Sequence, residues 1–180
     1  MTVDHDEPEG VRIFLKEQIS AISAMVGTFT FLDKKSLMGD ALQLAKQAQL
    51  HNDVPVGALV VNQIGEIIGS GKNEREKSND PLAHAELVAI RDAAKKLNSY
   101  RFDDLTLVVT LEPCAMCAGA IAQSRFSRLV FGAFDEKAGA VGSKWDLLRD
   151  PRQLHKPEVI SGVLEKECAA LLSEFFNNKR

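Results

Sequence analysis

Apolar positions recur along this chain with two distinct periods. In Leu37-Met38-x-x-Ala41-Leu42-x-Leu44-Ala45-x-x-Ala48 they return every three or four residues, the spacing of one buried helix face. Ser36 stands ahead of that run as the candidate N-cap, and Asn52-Asp53-x-Pro55 supplies a stop. Val56-Gly57-Ala58-Leu59-Val60-Val61 is a continuous apolar run, as a buried strand requires. Ile64-Gly65 marks a turn, and Glu66–Ser70 is the returning strand of a hairpin. A polar loop from Gly71 to Asp80 follows. Pro81 suits the first turn of a helix through about Leu97.

The second half alternates the two periods. Leu105–Thr110 reads as a strand, and Glu112-Pro113 turns the chain into a helix from Cys114 to about Ser124. Arg128–Ala133 is another strand. A loop carrying Gly139 and Gly142 leads to a short strand at Glu158–Ile160. Leu164, Cys168, Leu171, Leu172 and Phe175 then share one face of a final helix. Strands alternating with helices predict a three-layer α/β domain whose central sheet is partly parallel. Ligands in such sheets gather where strand ends meet helix starts.

Residues 1–35 do not join this pattern. Met1–Gly10 is acidic and polar, and the apolar stretch Val11–Leu32 is interrupted by Arg12, Lys16, Glu17 and Gln18. No run of about 18 apolar residues exists, so no transmembrane helix is expected. An acidic start and the poor cleavage region Thr28–Leu32 do not make a signal peptide. The reading is a native extension packed on the surface, with an artefact of start-site choice as the alternative. The domain proper then spans 36–180.

With 180 residues, 45% hydrophobic and 26% charged, the chain suits one soluble globular domain. The net charge of −3 excludes a uniformly basic nucleic-acid binder but leaves room for a local basic groove. Lys72, Arg75, Lys77, Lys144, Arg149, Arg152 and Lys156 are the loop cations available for one. Three cysteines, with one Cys-x-x-Cys pair, suit a reducing, cytoplasmic compartment rather than a disulfide framework.

That pair, Cys114 and Cys117, is open to a redox or a zinc reading when taken alone. The i, i+3 spacing puts both thiols at one helix start, where backbone N–H groups favour thiolate. His5, His51 and His155 read as surface or capping residues. His84 differs, because it begins a helix with Glu86 two residues on. Positions i and i+2 on a helix diverge by roughly 200°, so periodicity alone does not join their side chains. Yet three ligands, His84, Cys114 and Cys117, leave the fourth position of a catalytic zinc for water. A carboxylate that is not a ligand, Glu86, can then move protons. A thioredoxin-like reading leaves His84 and Glu86 unexplained, and the spare Cys168 sits on an apolar helix face.

His84-Ala85-Glu86 with Pro113-Cys114-Ala115-Met116-Cys117 resembles the H-x-E…P-C-x-x-C pattern of zinc-dependent nucleobase deaminases. From about Ser36 to Phe176 the chain resembles the bacterial tRNA adenosine deaminase family, which converts the wobble adenosine of the anticodon loop to inosine. Val54–Ala58, Asp80–Glu86, Leu111–Ala120, Val130–Ala133 and Glu167–Phe176 carry the likeness. The resemblance implies a three-layer α/β/α cytidine-deaminase-like fold with a central mixed five-stranded sheet. It implies one Zn2+ per subunit, held by His84, Cys114 and Cys117, with Glu86 as proton shuttle. It also implies that Asn73 binds the base and that Asp135 lies near the ribose; Val56 reads either as a wall of the base pocket or as strand core, and Phe175 as a substrate contact. The implied partners are a tRNA anticodon stem-loop and a second copy in a homodimer. Two departures stand out: Phe134 occupies a position that is often basic, and only Lys179 and Arg180 follow Asn177-Asn178. A free nucleobase or nucleoside deaminase of the same fold, acting on guanine, cytosine or cytidine, is the first alternative. A non-catalytic partner subunit is the second, and the intact Glu86 argues against it.

Overall fold

A computed structural model describes residues 31–179. Of the expected 1–35 extension, residues 1–30, including His5, lie outside the described residues. The elements are α1 (Phe31–Ala48), β1 (Gly57–Val61), β2 (Ile67–Lys72), α2 (Arg75–Ser78), α3 (Ala85–Leu97), β3 (Thr106–Leu111), α4 (Ala115–Gln123), β4 (Arg128–Ala133), β5 (Glu158–Ile160) and α5 (Glu165–Asn178). A single 3₁₀ turn, Gln49–His51, extends α1. The left-handed Asn52 then closes it, where the polar stop was expected.

The sheet order is β2-β1-β3-β4-β5. β1 is antiparallel to both β2 and β3, while β3, β4 and β5 run parallel. This is the mixed five-stranded sheet expected from the sequence. Alternation along β1 shows why it has two covered faces. Ala58 and Val60 join the core beneath α3 and α4, with Ala89, Leu107, Ile121 and Phe131. Leu59 and Val61 join the core on the other face with Leu37, Met38, Val108 and Cys168, beneath α1 and α5. A strand buried on both sides has to be apolar throughout, which is why Gly57–Val61 shows no polar residue.

Close approach of α3 to the sheet depends on glycine. A Cβ on Gly71 would meet the Ala85 carbonyl and come within 2.9 Å of the Val88 Cβ. Gly71→Ala is therefore expected to lift the first turn of α3 from β2 and cost about 1–3 kcal/mol, the usual range for overpacking. A urea midpoint equal to that of the parent would refute this.

The pattern-based boundaries fail at three places, each for a local reason. Ser36 is not an N-cap, because α1 already runs from Phe31 and no Gly or Pro interrupts residues 31–36. The expected loop 71–80 contains the end of β2 and the turn α2. That turn is held from a distance: the buried Asp53 carboxylate accepts from the backbone N–H of Glu76 (2.9 Å) and Lys77 (3.2 Å). Pro81 does not open α3. It sits in a turn closed by Asp80, whose carbonyl accepts from Ala83 N and whose Oδ1 accepts from Leu82 N. The helix begins four residues later, at Ala85.

Candidate active site

The topology brings four chain segments to one sheet end. β2 and β3 both point toward it, and the antiparallel β1 starts there, with Gly57 opposite Lys72 and Ala58 opposite Val109. Parallel β4 ends there too, Ala133 lying beside Leu111. The segments just beyond these ends carry Val54 and Val56, Asn73 and Arg75, Glu112 and Cys114, and Asp135. With His84, Ala85, Glu86, Leu111 and Ala138 they line one cavity of about 140 Å³. It is large enough for one heterocyclic ring.

His84 and Cys114 occupy equivalent positions, as N-caps of α3 and α4. Both are extended, with ψ of 149° and 174°, and neither side chain caps its own helix. His84 is thus outside the helical spiral, and the 200° divergence expected between His84 and Glu86 does not apply. Its imidazole faces the sulfurs: Nδ1 lies 3.7 Å from Cys114 Sγ and 3.6 Å from Cys117 Sγ. All three ligand atoms lie within 4.8 Å of one another, and among the described residues no other such grouping occurs. Zinc bonds of about 2.3 Å to sulfur and about 2.0 Å to nitrogen, arranged tetrahedrally, put N and S roughly 3.6 Å apart. The triangle fits zinc.

The electrostatics agree with the donor set. The Cys117 thiol donates to Cys114 and, aided by His84, pulls the Cys114 pKa down to about 3 despite burial. That same bond, together with burial, pushes the Cys117 thiol up. Zinc coordination requires both sulfurs as thiolates, so metal uptake expels the Cys117 proton. Hydrogen bonding to Cys114 also raises the His84 pKa. Glu86 is buried, at 4% exposure, on the first turn of α3. Burial raises its pKa, and its own backbone amide and the His84 charge only partly reverse this. A carboxyl that holds protons more tightly than usual, beside a metal site, suits proton transfer.

Asn73 forms a cavity wall with its amide oriented. Its Nδ2 donates to the Val54 carbonyl (3.3 Å), which leaves Oδ1 as the buried side-chain atom without a partner among the described residues. Val56 is shared between cavity and core. Asp135 lines the cavity, but its Oδ1 is committed to the amides of Lys137 (2.9 Å) and Ala138 (3.2 Å).

Phe175 lies outside the cavity lining. It is buried beneath Lys179, whose Nζ sits 4.4 Å from its ring centroid. Its neighbour Phe176, half exposed, instead lines an adjoining groove with Phe134, Leu172 and Ser173. One step along a helix turns a side chain by about 100°, enough to exchange the two rings. Cys168 is core as expected, packed at Gly132, with burial raising its pKa to about 12. His155 is less of a surface group than expected, since Nε2 lies 2.6 Å from the Phe126 carbonyl.

Glu112 was missed as a functional residue. It is 2% exposed, and its carboxylate accepts from the N–H of Asp135 (3.1 Å), Val141 (2.9 Å) and Ser143 (3.0 Å), and from the Ser143 hydroxyl. The available signal was an acid placed directly after the mainly apolar run Leu105–Leu111. Such a residue is costly to bury unless donors surround it.

A His/Cys/Cys triangle beside a buried glutamate, at the helix starts of an α/β/α sheet, is the arrangement of zinc-dependent deaminases. The chain belongs to the family described as the cytidine and deoxycytidylate deaminase zinc-binding region, whose model matches residues 32–133. Within it the chain stands with tRNA-specific adenosine deaminases. It is 49% identical to the one from Haemophilus influenzae over 146 residues, 81% of this chain and 84% of that one. It is also 49% identical to the one from Bacillus subtilis over 144 residues, 79% and 88% of the two chains. A solved structure from work on A-to-I editing by tRNA:A34 deaminases at the wobble position is 42% identical. It aligns with a TM-score of 0.73 and covers 76% of this chain and 99% of that one. The guanine deaminase of Nitrosomonas europaea is more distant, at 27% identity and a TM-score of 0.68 over 78% and 83% of the chains.

Proposed function

We propose that this chain is a zinc-dependent tRNA adenosine deaminase that forms inosine at the wobble position of the anticodon loop. The likeness to tRNA-specific adenosine deaminases over four fifths of the chain carries the reading. His84, Cys114 and Cys117 would hold the zinc, which supplies a water activated near neutral pH. The other steps belong to side chains of this chain. Asn73 Oδ1 is the unpaired acceptor that orients the ring. Glu86 takes the proton of the water, delivers it to ring N1, and assists departure of ammonia from C6. Val54, Val56 and Leu111 wall the ring and exclude bulk water. Asp135, on the cavity lining with Oδ2 not used by the amides of Lys137 and Ala138, would meet the ribose and sense its 2′-OH. A wobble base is accessible because a loop nucleotide can be splayed out of its stack.

The test is zinc analysis combined with inosine detection on a set of anticodon stem-loops carrying adenosine at the wobble position. Purified chain that contains zinc and yields no inosine would refute the reading. The likeness to guanine deaminase keeps a free-base reading in view, so free guanine, cytosine and cytidine belong in the same assay. Turnover of these without inosine would establish it instead. Activity of the chain alone would exclude a non-catalytic partner subunit. Asn73→Ala is expected to lower kcat/KM on the stem-loop about tenfold or more, with zinc content unchanged. An unaltered kcat/KM would remove Asn73 from base recognition.

The chain is also assigned here to a homodimer, to be measured by sedimentation. A cytoplasmic location accords with its three unpaired thiols. No helix among the described residues is long and apolar enough to cross a membrane.

A further inference from the structure

We propose that Arg75 anchors the backbone phosphate of the RNA at the mouth of the cavity, and so decides for a polynucleotide over a free base. The inference rests on the substrate reading above. Arg75 is the one lysine or arginine among the residues lining the cavity. Its side chain is exposed and has no ion pair or hydrogen bond among the described residues.

Five of the other loop cations are engaged elsewhere. Lys72 and Lys77 both approach Glu74 Oε1, at 3.8 and 2.7 Å. Arg149 is paired with Asp146 at 2.7 Å and donates to the Val141 carbonyl. Arg152 is paired with Asp150 at 2.6 Å. Lys144 reaches the Lys137 carbonyl and lies over the Trp145 ring.

The local charge makes an anchor necessary. The cavity lining carries the carboxylates of Glu112 and Asp135, beside the Glu86 carboxyl whose charge burial disfavours. A phosphate approaching them without a cation is repelled. A guanidinium presents a fork of donors that matches phosphate oxygens, and at an exposed position it loses little hydration on binding.

The root of the Arg75 side chain is also fixed. Asp53 holds the next two amides of α2, and Glu74 N donates to the Ala83 carbonyl at 2.9 Å. Two residues back, Asn73 presents its unpaired acceptor to the base. One anchored turn therefore offers a base contact and a phosphate contact, both on the lining of the same cavity.

The test compares stem-loop binding to zinc-loaded Glu86→Gln, which leaves the substrate intact, with binding to Glu86→Gln/Arg75→Ala, from about 50 to 200 mM salt. The alanine variant is expected to bind about tenfold more weakly at low salt. Its plot of log affinity against log salt should be shallower by about 0.7, the share of one phosphate contact to a single strand. Arg75→Lys keeps the charge and should keep the slope while recovering only part of the affinity. An unchanged slope in the alanine variant overturns the assignment. So does a result in which Arg75→Ala abolishes competition by adenosine 5′-monophosphate but leaves the stem-loop slope intact, since the phosphate recognised is then that of a free nucleotide. Failure of the unsubstituted chain to form inosine in any stem-loop defeats the substrate reading, and Arg75 falls with it. Inosine formation with an unchanged slope defeats Arg75 alone.

Discussion

Glu86→Gln will retain its zinc and deaminate about 10²–10⁴-fold more slowly than the parent, the range associated with loss of a general acid–base group. Glutamine keeps the volume of the side chain but cannot accept a proton from water and return it to the ring. The ligands are untouched, because the three atoms that fit zinc come from His84, Cys114 and Cys117. Stability should not fall. The carboxyl is buried, and burial raises its pKa, so the folded state already disfavours its charge. Three measurements on one preparation check this: bound zinc, thermal midpoint and inosine formed in a single turnover. Near-parental turnover removes Glu86 from the reaction. Loss of zinc along with activity makes it a structural support instead.

Glu112→Gln will cost about 2–4 kcal/mol at pH 7, more than any other single change discussed above. The carboxylate gathers four donors from residues 135–143, and hydrogen bonds to a charged acceptor contribute about 1.5–3 kcal/mol each when one partner is deleted. A glutamine amide turns an N–H toward some of those N–H groups and leaves them unpaired. Gly139 packs directly against the carboxylate, so the segment cannot close further to compensate.

The pH dependence has a definite sign. Burial alone would raise the pKa of Glu112, but the bonds from Ser143, Val141 and Asp135 outweigh it and hold the carboxyl below the usual glutamate range. Its contribution is therefore complete above the unfolded value of about 4.3 and is lost as the pH falls through the folded pKa. The stability gap between parent and Glu112→Gln, read from urea midpoints, should be constant at neutral pH and narrow below about pH 4.3. A gap independent of pH would show that the ionised carboxyl is not what holds the segment. Asp135 is one of the four attachments, so KM for the stem-loop should rise in the variant while zinc content does not change.

The parts of this molecule legible in its sequence are those encoded by near neighbours. β1 is apolar throughout and β3 is apolar but for its two buried threonines, Thr106 and Thr110, because both faces of the sheet are covered, and no helix pattern competes with them. The zinc set was legible because its members fall at two helix starts, within two short motifs. Periodicity failed where a distant partner decides the local form. α2 exists because Asp53, more than twenty residues earlier, holds its amides. Pro81 looked like a helix opening because the carboxylate turn at Asp80 leaves the same local signature. The aromatic pair near the C-terminus was recognisable, but which ring faces a groove depends on helix phase, and Phe176 rather than Phe175 does so. Glu112 lay in plain view within Leu111-Glu112-Pro113-Cys114. Its four donors are 23 to 31 residues away, so local reading gave it no role.

The two ligand-bearing N-caps follow β2 and β3, which are separated in the sheet by β1. A metal at that point ties the hairpin half of the molecule to the parallel half, across thirty residues of chain between His84 and Cys114. It works as a removable cross-link. Closing a loop of that length takes conformational freedom from the unfolded chain, and binding confined to the folded form adds to stability by mass action. Free zinc would then govern the lifetime of the chain as well as its activity. In a zinc-starved cell the idle form would also be the form that opens most often to proteases.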